Sequence, residues 1–426
     1  MHLPKNQDHS IIRFLKFYIF LVIFEGVFRK WIRLSQVDVF YFLRDVFTVL
    51  YIFKLIIKNR NVELGNRNSR IYLNFLFSIF ALYGFIAVVF QNIPINVVLF
   101  GIRNFISIFL LVYVCSFLVD KKMIFVSTYK MFIGSLIIQL PIVLLQVVSQ
   151  PNSFINKTSW ELGASVFTSG EFVRPPGTFT NALGLGYFIL ITYGLILSSF
   201  LKGLVTHKAA NRNLIALFIL VVIAAVSGSR TVLLGLSLTT SLYIILKIKM
   251  NILGFKRVLN SKKSSKFVFI LLSFSSFFIF YRTLDVINAF LFRLQYQTEG
   301  GSGTRMRITD SIFGYNVSEI SLFGSGIGTR HQSAIALGWI QSWVENETFR
   351  WSAEIGIFGF LLIIVRQIWI TFLAINCFRQ KIKIEYLGPM IFVSLGPILV
   401  SGMSTQPTIQ GMSAIMLVFL FYRKLI

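Results

Sequence analysis

The chain has 426 residues, 55% of them hydrophobic and 13% charged, with 41 lysines and arginines against 16 acidic residues. So apolar a composition excludes a soluble domain of this size. The formal charge of +25 does not mark a nucleic-acid binder, because most basic residues sit in short segments between apolar runs, as membrane topology requires.

Apolar runs long enough to cross about 30 Å of hydrocarbon as helices recur near 11–28, 39–57, 71–90, 97–119, 123–148, 181–201, 213–227, 231–247, 266–283, 351–375, 385–401 and 411–424. They predict an all-α, polytopic integral membrane protein of about 12 transmembrane helices, forming one domain over residues 1–426. The first run lacks a small-residue cleavage site and contains Glu25, so it reads as a retained helix. The runs at 213–227 and 231–247 are short and meet at Ser227-Gly228-Ser229-Arg230, so they form either two crossings or one re-entrant hairpin. Cys115 falls in the middle of a run and Cys377 near the end of one, which implies no disulfide framework.

Charge fixes the orientation. With both termini cytoplasmic, the inner segments carry 23 basic residues, sixteen of them lysine, and the outer segments carry 12, ten of them arginine. Lysine-rich inner loops are the ordinary positive-inside signal. Arginine on the other side suggests a grip on phosphate, since its planar fork matches phosphate oxygens bidentately.

Two outer loops, 149–180 and 282–350, exceed what a simple connection needs and are the expected walls of a substrate cleft. The second holds Arg282, Arg293, Arg305, Arg307, Arg330, His331, Glu345, Glu347 and Arg350. Among the charges within runs, Glu25, Arg44, Asp45 and Arg103 would sit in the outer half of the bilayer. Arg44 and Asp45 are sequence neighbours and should point apart on a helix, so each needs a partner elsewhere. They form either a polar floor under an outward cavity or plain interhelical ion pairs.

Three motifs follow in order. Arg174-Pro175-Pro176-Gly177-Thr178-Phe179-Thr180-Asn181 closes the first large loop, its prolines stiffening the approach to the next helix. Ser227-Gly228-Ser229-Arg230 brings an arginine to the outer surface. Ser302-Gly303-Thr304-Arg305-Met306-Arg307 leads through Gly324-Ser325-Gly326-Ile327-Gly328 to Glu345-Asn346-Glu347 and Glu354-Ile355-Gly356-Ile357-Phe358-Gly359. The glycine triplet follows no strand of a βαβ unit, so it is a turn and not a dinucleotide fingerprint. The plain alternatives are a surface histidine at 331, arginines that snorkel to headgroups, and glutamates paired with Arg330 or Arg350.

From about residue 170 to 365 this order resembles the bacterial O-antigen polymerase and O-antigen ligase superfamily, membrane glycosyltransferases acting on undecaprenyl-pyrophosphate-linked glycans. The resemblance implies a GT-C-like fold with a large helical periplasmic loop, in the bacterial cytoplasmic membrane, with the active site facing outward. It implies inverting transfer from a pyrophosphate donor to a second lipid-linked glycan, with a chain-length regulator as a further partner. Arg174, Arg230, Arg305 and Arg307 are the expected pyrophosphate ligands, with Arg103, Arg44 and Arg330 in support. Glu345, Glu347 or His331 is the expected base for the acceptor hydroxyl. Neither metal nor cofactor is expected, since no Asp-x-Asp is present and arginines can neutralise the leaving group. Ligases of the superfamily carry a histidine shortly before the final helix, where this chain reads Glu345-Asn346-Glu347. That favours polymerase over ligase, with a lipid-linked oligosaccharide transporter as the non-enzyme alternative.

Overall fold

The computed structural model describes residues 5–32, 39–58, 67–118, 122–157, 168–169, 172–201, 207–229, 232, 235–241, 243, 322–331, 334, 337–339, 347–365, 368 and 407–421. The described elements are α1 (Lys5–Trp31), α2 (Val39–Lys58), α3 (Arg67–Phe90), α4 (Ile95–Cys115), α5 (Lys122–Val148), α6 (Ala182–Leu201), α7 (His207–Val226), α8 (Glu347–Ile355) and α9 (Pro407–Phe421). A two-residue antiparallel pair, β1 (Thr168–Ser169) with β2 (Phe172–Val173), is the only extended pairing among the described residues.

Leu73–Phe90, Ile95–Cys115, Met123–Val148 and Ala182–Phe200 are long and apolar enough to cross a membrane, consistent with a membrane protein. α1 and α2 are as long but carry charges along their apolar lengths. Two of the expected runs, 266–283 and 385–401, lie outside the described residues. α4 and α6 are central, with 78% and 83% of their apolar lengths buried, against 22% for α3. All-round hydrophobicity suits helices enclosed on every side. One large apolar core joins α1, α4, α5, α6, α7 and α9, and a second joins α3 and α4 to Ile327, Trp351 and Ile355.

Contacts sort by end, as alternating crossings require. At one end Ser10 meets Tyr51 at 2.8 Å, Arg70 lies 4.6 Å from the Phe117 ring, and Asn213 bonds Ser199 at 2.6 Å. The other end gathers Glu25, Arg44, Asp45, Arg103, the 174–181 turn and the glycine turn, which the charge pattern assigns to the outside.

The sequence leaves 213–247 as two crossings or a hairpin, and the described residues follow the second run only to Tyr243. A Cβ on Gly186 would sit 3.1 Å from Val232, and one on Gly235 would sit 2.6 Å from Leu190, while Thr240 bonds Tyr193 at 2.6 Å. Val232, Gly235 and Thr240 therefore follow α6 from Gly186 to Tyr193, and the 227–229 turn lies level with the start of α6. α7 begins beside the far end of α6 through the Asn213–Ser199 bond.

The crossing expected from 351 starts differently. α8 ends at Ile355, Gly356 takes φ +72°, and helix resumes over 357–365. A hydropathy run averages across such a break, because one glycine hardly changes it.

Candidate functional site

The 174–181 turn is pulled into the bundle by side chains from two helices. Gln146 of α5 donates to the Gly177 carbonyl at 3.2 Å and accepts from the Gly177 N–H at 2.8 Å. Gln139, seven residues earlier on the same face, accepts from the Thr178 N–H at 3.1 Å and bonds the Thr178 hydroxyl. Thr178 also donates to the Ile23 carbonyl of α1 at 2.5 Å. Packing is so close that a Cβ on Gly26 would overlap the Thr178–Phe179 backbone. Asn181 then caps α6, accepting from the Gly184 N–H at 2.9 Å. Arg174 is half-buried at the head of this turn, directly after β2.

Lys30 completes the clamp. It lies two residues past the apolar run 11–28, is 4% exposed, and donates to the Gly177 carbonyl at 2.8 Å. Burial pulls its pKa down from 10.5 to about 7. The folded chain thus holds fewer protons here than the unfolded chain between those two values. Stability from this group is therefore lowest below about pH 7 and rises as pH climbs toward 10.5. Thermal melts in detergent should show that rise, and the Lys30→Met variant should lack it. Parallel pH profiles for the two proteins would refute the assignment.

Beside this turn runs a chain of buried charges. Arg29 pairs with Glu25 at 3.2 Å, and Glu25 faces Arg44 at 3.6 Å. Arg44 bonds Asp45 at 3.2 Å, and Asp45 receives Arg103 of α4 at 2.6 Å. Arg44 and Asp45 do have partners on other helices, as expected, but they also touch each other. The flexible guanidinium stem reaches what the Cβ directions keep apart. Arg44 and Arg103 are thus each paired with carboxylates. Arg103 also donates to Asn104 at 3.1 Å, and Ser107 donates to Gln410 of α9 at 3.1 Å.

The glycine turn docks on the N-terminal part of α4, at Val97 and Gly101. Gly324, Gly326 and Gly328 all have positive φ, and a Cβ on Gly101 of α4 would lie 2.6 Å from the Gly328 Cα. Glu354 of α8 staples the turn: one carboxylate oxygen accepts from the Gly328 N–H at 3.0 Å, the other from the Arg330 N–H at 3.1 Å. The Ser325 and Gly326 amides donate to the Ala353 and Glu354 carbonyls at 2.7 and 3.0 Å. These four amides are spent on α8, so they form no phosphate cradle. The turn is a structural device, as the sequence indicated.

This turn presents Arg330 half-buried, its Nε 3.4 Å from the Ser325 hydroxyl. His331 is not a surface histidine. It is 5% exposed and lies 5.2 Å from the Phe100 ring, whose other neighbours include the Arg103 guanidinium at 5.5 Å. Arg350 is 1% exposed, one helical turn before Glu354 and within its electrostatic reach.

His331, Arg330, Arg103 and Arg44 are therefore joined through α4, and Arg174 lies at the same end of the bundle. Glu347 opens α8, with its side chain outside the description. Glu345, Arg230, Arg305 and Arg307 lie outside the described residues. Sequence reasoning passed over Gln139, Gln146, Lys30, Gln410 and the stapling role of Glu354. Two glutamines seven apart in an apolar helix were a readable sign of one polar face. No protein-family model and no curated protein matches the chain.

Proposed function

We propose that the chain is a polysaccharide polymerase of the bacterial cytoplasmic membrane, with about 12 crossings, a GT-C-like fold and its active site outward. It moves a growing glycan from undecaprenyl pyrophosphate to the terminal sugar of a second lipid-linked repeat unit. The observation that carries this is the convergence at one bundle end of the arginine-proline turn, the glycine turn with Arg330 and His331, and the opening of α8. These stretches are far apart in sequence, and their order is what resembles the superfamily.

The acceptor hydroxyl oxygen forms a bond to the anomeric carbon as the bond from that carbon to the donor pyrophosphate breaks, inverting the centre. Arg174, Arg230, Arg305 and Arg307 take the charge of the departing undecaprenyl pyrophosphate through forked hydrogen bonds. The hydroxyl proton passes to Glu345, Glu347 or His331. His331 would act from inside the packed end, so it needs a rearrangement to meet an acceptor.

The test is purified protein with a synthetic polyprenyl-pyrophosphate repeat unit as sole substrate, no metal added, resolved on a gel. A ladder of lengthening products is expected, and Arg305→Ala should lose about 100-fold or more in rate with normal yield of folded protein. Transfer only when lipid A core is supplied would make the chain a ligase. No transfer by folded protein would leave transport as the function.

A further inference from the structure

At the bundle end opposite the candidate site, a groove opens between α5 and α7. α5 and α7 run in the same direction, and the bond from Tyr129 to Asn213 fixes their register. Lys130 and Arg212 therefore stand at one level. One turn further lie Ile133 and Gly134 facing Ile215 and Ala216, and beyond them Ile137 and Ile219. The cavity they line measures about 200 Å³. Nothing lies within 4 Å of where a Cβ on Gly134 would sit, so the glycine leaves the space open. Ile137 is 69% exposed and Ile215 62%, so the groove faces the surroundings of the bundle.

Its charge is one-sided. Lys130 and Arg212 are both exposed, and among the described residues no carboxylate lies within ion-pair distance of either. The Arg212 guanidinium is set 6.0 Å from the Tyr129 ring, and Asn213, its neighbour, is bonded to both Tyr129 and Ser199. That anchors the start of α7 and with it the position of Arg212. Two cations from different helices cap one end of an apolar slot about 10 Å long, from the rise between residues 130 and 137.

We infer that this groove is a binding site for an anionic glycerophospholipid, one acyl chain lying in the slot and the phosphate resting between Lys130 and Arg212. Charge complementarity selects the headgroup, and the apolar walls select a chain instead of a free anion. Cations that merely snorkel would need no slot between them. The site stands apart from the glycan end and does not depend on the transferase activity.

Native mass spectrometry of the full chain in detergent, with phosphatidylglycerol and phosphatidylcholine in competition, tests it. One retained phosphatidylglycerol with about tenfold preference is expected. Lys130→Gln with Arg212→Gln should bring the preference to near unity, and Gly134→Leu, which fills the slot, should lose the retained lipid. Equal retention of the two lipids by the unaltered protein overturns the site with no variant needed. Preference surviving both variants overturns it as well. Stronger retention of a polyprenyl phosphate than of phosphatidylglycerol overturns the choice of occupant.

Discussion

Asp45→Ala is expected to cost the folded chain about 3–5 kcal/mol, because it removes one partner from a buried ion pair and leaves cations behind. Asp45 is 6% exposed and stands between two guanidinium groups, with Arg103 at 2.6 Å and Arg44 at 3.2 Å. The five charges from Arg29 to Arg103 carry one more positive than negative, with Glu25 and Asp45 the acids among them in the described residues. Losing Asp45 leaves, of these five charges, Glu25 against three arginines.

The loss also falls at a junction of elements. Arg44 belongs to α2, Arg103 to α4 and Glu25 to α1, while a Cβ on Gly411 of α9 would lie 2.6 Å from the Arg44 guanidinium. Thermal melts in detergent should show a lower midpoint for Asp45→Ala and partial recovery in the double variant Asp45→Ala, Arg103→Gln. That recovery isolates the pair, since removing both partners leaves less uncompensated charge. A single variant melting with the native chain would show that Asp45 does not organise these helices.

The long apolar helices were legible because they rest on apolar runs, which depend on local sequence alone. Glu25, Arg44, Asp45 and Arg103 were placed at one depth by counting residues from loop ends, and the structure joins all four. Their pairing was not legible, because guanidinium reach follows tertiary packing. His331 shows the same limit. Nothing in a glycine-rich loop marks one histidine for burial, and the ring that covers it, Phe100, lies more than 200 residues earlier in the chain. The role of Gly356 was hidden for another reason. A hydropathy window rewards continuous apolar character, and Ile355 and Ile357 on either side mask the φ of +72° between them.

Glu354→Gln should lower both the melting midpoint and the proposed transferase rate, although it changes neither length nor shape. A carboxylate can accept from two amides, and Glu354 does so with separate oxygens, to Gly328 at 3.0 Å and Arg330 at 3.1 Å. Glutamine keeps one acceptor and turns an N–H group toward the other amide, donor against donor. One buried N–H is then unpaired, at about 1–3 kcal/mol. Glu354→Ala should cost more, since it orphans both amides and takes a carboxylate from beside the buried Arg350. The same turn can be broken from its other side. Gly328 has φ +90°, and a side chain there would run into the Val97 carbonyl of α4, so Gly328→Ala should reproduce the defect with the carboxylate intact. Because Arg330 and His331 lie two and three residues after that glycine, loosening the turn displaces two candidate site residues together. Matching losses in Glu354→Gln and Gly328→Ala would make turn geometry the shared cause. Native melting and activity in Glu354→Gln would mean that the packing of Gly328 on Gly101 holds the turn without the staple.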